Sequence, residues 1–129
     1  MKTIKIISFA TALMTLCGMA QAELMEVYTW KAFPGKSSQM VTNFIEAKKL
    51  HEEAGASVSI VQRMTGSTQE VDYIMRWDDT TSWGSAMDKS RSPSMMQKWQ
   101  KFLEKANIDP SGEMVASVTV KNIDVSQKA

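Results

Sequence analysis

Two stretches of apolar residues spaced by three and four, each flanked by short alternating stretches, restrict this chain to very few topologies. The first alternating stretch, Met25 to Ala32, is rich in β-branched and aromatic residues and short enough for one strand. Pro34-Gly35 breaks it. Ser37 and Ser38 then offer N-caps to a helix whose apolar positions are Met40, Phe44, Ala47, His51 and Ala54. Gly55 stands where such a helix stops in left-handed backbone. A second strand is expected from Ala56 to Met64, with Val58 and Ile60 alternating against Ser57, Ser59 and Arg63. Thr65-Gly66-Ser67-Thr68 is a turn, and a third strand follows from Glu70 to Trp77. There Val71, Tyr73, Met75 and Trp77 share one side, and Asp72, Ile74 and Arg76 the other.

The second helical region comes in two pieces. Thr80, Thr81 or Ser82 can cap a short helix from Ser82 to Lys89, and Ser92-Pro93 restarts it, serine as cap and proline at the first helical position. Met96, Trp99, Leu103 and Ala106 form its apolar stripe, with Phe102 widening it, and Asn107 and Asp109-Pro110 end it. The last strand, Met114 to Ile123, alternates Met114, Ala116, Val118 and Val120 against Val115, Ser117, Thr119 and Lys121. The order β-α-β-β-α-β is the split pattern of ferredoxin-like α+β folds. Right-handed crossovers place both helical regions on one face of a four-stranded antiparallel sheet. The last three strands each have a strongly apolar side and a mixed side. In the first strand, Met25, Val27 and Phe33 oppose Leu24, Tyr28 and Trp30, and both sets want burial. That favours a covered second sheet face, hence a homodimer.

The first 22 residues read as an export signal. Lys2 and Lys5 are a short positive segment, Ile6 to Met19 is apolar, and Ala20-Gln21-Ala22 offers small residues for cleavage after Ala22. The apolar run falls short of the about 20 residues that cross a bilayer. Cys17 follows Met14-Thr15-Leu16, where lipidation needs a small residue just before the cysteine. The expectation is a periplasmic or secreted protein, with residues 23–125 as one domain and 126–129 as a fraying tail.

Cleavage removes Cys17, the only cysteine, and leaves thirteen basic against fourteen acidic side chains. Disulfides, thiol catalysis and cysteine-based metal sites are thereby excluded from the mature chain. The near-zero charge argues against nucleic acid, whose binding is dominated by phosphate neutralisation. No later segment is apolar enough for membrane insertion. No Gly-rich phosphate loop, nucleophile elbow or metalloprotease helix occurs.

The strand followed by Pro34-Gly35-Lys36 and a helix resembles the opening of dimeric α/β-barrel proteins, the superfamily of antibiotic-biosynthesis-type monooxygenases and NIPSNAP-like domains. So does Tyr73-Ile74-Met75-Arg76-Trp77-Asp78-Asp79, a strand ending in an aromatic residue before an acidic turn and a helix. The resemblance covers nearly all of the mature chain. It implies two sheets paired face to face and a small-molecule cavity in each subunit. Members include cofactor-free oxygenases, haem-degrading and haem-binding enzymes, isomerases and domains without known activity, so the fold does not fix the function. Monooxygenase-type members often carry a histidine on the second helix. Here that neighbourhood reads Ser85-Ala86-Met87-Asp88, so no catalytic residue is transferred.

His51, the only histidine, is a candidate general base or haem ligand, against the plainer role of a packing residue near a helix C-terminus. One histidine without cysteine makes a zinc site improbable, and no metal is expected. Tyr28, Trp30, Tyr73, Trp77, Trp83 and Trp99 are either the lining of a pocket for a flat apolar ligand or simply core and interface. Trp83 borders the expected cavity mouth. Met87, Met95 and Met96 cluster around the second helical region, where adaptable packing is the default and Cu(I) the alternative. Arg76 and Arg63 either pair across strands with Asp72 and Glu26 or hold a ligand's anionic group. The pocket candidates are therefore Tyr28, Trp30, His51, Tyr73, Arg76, Trp83 and Met87. The leading expectation is a small exported domain binding an apolar aromatic molecule without a cofactor. The alternative is a cofactor-independent or haem-linked monooxygenase using His51 or Arg76.

Overall fold

The computed structural model describes residues 23–66 and 69–123. The segment expected to be an export signal, the Ser67-Thr68 part of the turn and the expected tail lie outside the described residues. The elements are β1 (Leu24–Ala32), α1 (Ser37–Glu53), β2 (Ser57–Gln62), β3 (Glu70–Trp77), α2 (Thr80–Ser90), α3 (Pro93–Ile108) and β4 (Gly112–Lys121). They form one antiparallel sheet in the order β2-β3-β1-β4, the ferredoxin-like arrangement expected from the sequence. No helix among the described residues is long and apolar enough to cross a membrane.

Helix starts differ from expectation at two places. The Pro34-Gly35 turn, with Gly35 at φ 76°, closes by a 2.9 Å bond from the Lys36 amide to the Phe33 carbonyl. The Lys36 carbonyl then accepts the Met40 amide at 2.9 Å, so the turn itself starts α1 and Ser37 is its first residue rather than its cap. At α2 the cap is Asp79, whose carboxylate accepts the Ser82 amide at 2.6 Å, in place of the threonines or serine that follow it. Ser92 caps α3 with Pro93 in the first position, as expected. Gly55 ends α1 at φ 110°.

The core lies between α1 and the sheet, where Met40, Phe44 and Ala47 meet Val58, Val71, Tyr73, Met75 and Trp77. At the start of β4, a Cβ on Gly112 would fall 2.5 Å from the Lys31 carbonyl oxygen and 2.7 Å from Met40 Sδ. Glycine there lets β4 approach β1 and the fully buried Met40 together.

The alternation of β4 does not mark one face. Its pairing with β1 shifts register between Thr29 and Trp30, a bulge that reverses side-chain parity along the strand. Met114 pairs with Trp30 on the helix side, but Ala116, Val118 and Val120 pair with Thr29, Val27 and Met25 on the other side. The expected assignment is thus reversed for most of the strand. Ser117, Thr119 and Lys121 share the helix side with Tyr28, Glu26 and Leu24. The open sheet face consequently carries a central apolar stripe of Val27, Ile74, Ala116 and Val118, and Val118 is 53% exposed. Polar pairs flank that stripe. Arg63 reaches Glu70 at 2.6 Å and Asp72 at 3.4 Å, and the Thr29 hydroxyl donates to Asp72 at 2.7 Å.

Candidate functional site

Two adjoining cavities lie between the helix side of the sheet and the helices. Helix α3 packs mainly against α1 and, to a lesser extent, α2. Exposed ion pairs, Lys98 with Glu53 and Lys105 with Glu46, link it to α1. The space beneath is the outer cavity, about 310 Å³. Toward α2 lies an inner one of about 260 Å³. Tyr28, His51, Met75 and Trp99 belong to the walls of both.

The outer cavity is bordered by a continuous chain of rings. Trp30 meets Phe44 edge-on at 5.6 Å between centroids, and Phe44 meets Tyr73 at 5.4 Å. Tyr73 contacts His51 at 5.4 Å, His51 contacts Trp99 at 4.6 Å, and Trp99 meets Phe102 edge-on at 5.6 Å. All six line the cavity. The arc arises from four elements, since β1 and β3 supply one ring each from their helix sides, α1 supplies positions seven apart, and α3 closes it. Such rings present wide apolar faces at low conformational cost.

The inner cavity has mainly apolar walls, with Ser90 and His51 in them and one acidic group. Glu26, on β1, takes a 2.5 Å hydrogen bond from the Tyr28 hydroxyl on Oε2 and a 3.0 Å bond from Trp83 Nε1 on Oε1. Trp77 also lines this cavity, and its buried indole N–H has no hydrogen-bond partner among the described residues. His51 faces both spaces, with Nδ1 2.6 Å from the Tyr73 hydroxyl. Burial pushes the His51 imidazole down to about 4, outweighing the opposing influence of the Glu26 charge and of the backbone at Ala47. Burial likewise pushes the Tyr28 phenol up to about 12, with the hydrogen bond to Glu26 and its charge adding to the effect. Tyr73 is raised as well, by burial first and then by the charge of Glu52. Near neutral pH the imidazole and both phenols are uncharged.

Of the seven residues expected at a pocket, Tyr28, Trp30, His51, Tyr73 and Met87 line these cavities. Trp83 stands behind the wall and holds Glu26. Arg76 is on the opposite side of the sheet, where it donates to Ser59 Oγ at 2.9 Å and lies 3.9 Å from Glu23. Glu26, expected to pair with an arginine across strands, instead shares the helix side with Tyr28. Its position two residues before Tyr28 and four before Trp30 carries that signal in the sequence. Trp99 was legible both as a pocket ring and as helix stripe, and Phe102 as helix stripe alone. Among the described residues no group of three or more histidine, cysteine or acidic side chains is placed to hold a metal ion.

No protein-family model matches the sequence, and no curated protein matches it either. Solved structures do match in fold. A NIPSNAP family protein with unknown function from Agrobacterium tumefaciens superposes with a TM-score of 0.59 at 15% identity, covering 78% of this chain and 88% of that one. A protein assigned as an antibiotic biosynthesis monooxygenase from Bordetella bronchiseptica gives 0.57 at 16% identity, covering 80% of this chain and 99% of that one. A similarly assigned protein from Chloroflexus aurantiacus gives 0.53 at 14%, covering 78% and 93%. The chain therefore has the ferredoxin-like fold shared by these two groups of proteins.

Proposed function

We propose that this chain is a small exported domain that binds an apolar, aromatic small molecule between its sheet and its helices, and that it works as a homodimer. The observation that carries the reading is the six-ring arc around an open cavity, a wall suited to a flat ring system. A purely structural subunit has no use for such a space. The dimer follows from the apolar stripe on the uncovered sheet face, which a second copy would bury in barrel fashion. Export to the periplasm or medium rests on the first 22 residues.

Haem does not suit the site. His51 offers one imidazole, but among the described residues neither cavity wall holds a lysine or arginine to meet the propionates, and the charged wall residue there is the acidic Glu26. A monooxygenase reading draws on the assignment of two fold relatives and on His51 as base. An imidazole held near 4 is a weak base at neutral pH, and Arg76 lies across the sheet, so binding is the better-supported role.

Thermal-shift measurements with planar aromatic probes (a naphthoquinone, a flavone and a tricyclic polyketide) test the binding reading. A concentration-dependent rise in Tm with at least one probe is expected. No shift with any of them contradicts it. Oxygen uptake with phenolic substrates would move the assignment to the enzyme.

A further inference from the structure

Among the described residues, the Glu26 carboxylate is the only charged group in the walls of either cavity, and no lysine or arginine comes within ion-pair distance of it. Its neighbours satisfy it only as neutral donors, one phenol and one indole. A half-buried carboxylate that faces mainly apolar walls and finds no countercharge there leaves room for a ligand to supply one. The surrounding surfaces are also the kind that attract cations. Tyr28, Trp77 and Trp99 border the same cavity as Glu26, and aromatic faces stabilise an ammonium through their quadrupoles. His51 supplies no competing positive charge near neutral pH, because burial keeps its imidazole neutral.

We infer that the ligand is an organic cation: an aromatic body lying in the ring-lined outer cavity, joined to a protonated amine that pairs with Glu26 in the inner one. This refines the proposed binding function and rests on it. Tyr28 and Trp83 act as positioning residues, because each holds one carboxylate oxygen while leaving further lone pairs for the ammonium. The shared walls at Tyr28, His51, Met75 and Trp99 place the two cavities side by side, as a single molecule with a ring and a short aminoalkyl arm requires. Aromatic carboxylic acids are disfavoured at the same place by like charge.

Three probes with one ring system separate the possibilities: 2-naphthylmethylamine, 2-naphthylmethanol and 2-naphthoate, titrated calorimetrically into the full mature chain at neutral pH. The amine is expected to bind at least about tenfold more tightly than the alcohol, with the acid weakest. Glu26→Gln should abolish the advantage of the amine, so that amine and alcohol bind that variant alike. Trp83→Phe, which keeps the carboxylate, should retain a preference for the amine and guards against a misfolded glutamine variant. Equal binding of amine and alcohol to the unaltered protein overturns the cation assignment but leaves the aromatic cavity standing. Absence of binding by all three overturns both.

Discussion

The Tyr73 hydroxyl lies 2.6 Å from His51 Nδ1, tying the middle of β3 to the last turn of α1. This contact closes one side of the cavity and buries the imidazole, whose affinity for a proton falls to about 4. In the unfolded chain the same group titrates near 6.5. Between those values the unfolded state holds the extra proton. Stability is therefore full above pH 6.5 and declines as the pH falls toward 4, with a slope of roughly 1 kcal/mol per pH unit from this one group. Denaturation across that range should show the decline, and His51→Gln, which keeps a hydrogen-bonding side chain but does not titrate, should flatten it. Nuclear magnetic resonance of the imidazole should show no titration above pH 5.

The chain has two tyrosines, and burial raises both. Absorbance titration of the folded protein should accordingly show no tyrosinate at pH 10, with Tyr28 ionising near 12. A raised phenol stabilises the fold below its unfolded value of 10, and that contribution is lost as the pH climbs through 10 toward 12. In Glu26→Gln, Tyr28 should ionise earlier than in the unaltered chain yet still above 10, because burial is the larger cause.

Trp77→Phe should leave stability within about 1 kcal/mol of the parent, since deleting an unpartnered buried N–H offsets the loss of ring volume. Tyr73→Phe lacks that compensation. It removes the hydroxyl bonded to His51 and should cost about 1 kcal/mol. Urea denaturation of the two variants side by side checks the contrast.

The element order was readable because helical and strand periodicities differ so plainly between residues such as Met40-Phe44-Ala47 and Val71-Tyr73-Met75. The faces of β4 were not. A bulge leaves no mark in the alternation of Met114, Ala116, Val118 and Val120, because it arises from pairing with β1 rather than from the strand itself. Pocket aromatics were readable as residue types, but whether Trp99 met the sheet or stood off it depended on how α3 docks. Arg76 could not share a pocket with Tyr73, because the alternation of β3 already sets the two on opposite sides of the sheet.

The apolar stripe on the open sheet face makes a prediction of its own. Val118→Lys places a charge at its centre without touching the core between sheet and helices. Sedimentation velocity should give a dimer for the unaltered chain and a monomer for the variant, with the helical circular dichroism signal retained. An unaltered chain that stays monomeric at every concentration would remove the barrel from the proposal.

The cavity beneath α3 is tested most directly by filling it. Ala47 is buried in its wall, and Ala47→Phe would project a ring into the space where a ligand ring is proposed to lie. Tryptophan fluorescence titrated with 2-naphthylmethanol should report saturable binding to the parent protein and a loss of at least about tenfold in the filled variant, once thermal unfolding has shown that variant to be folded. Equal affinity in both proteins would mean that the aromatic arc is packing and the ligand site lies elsewhere.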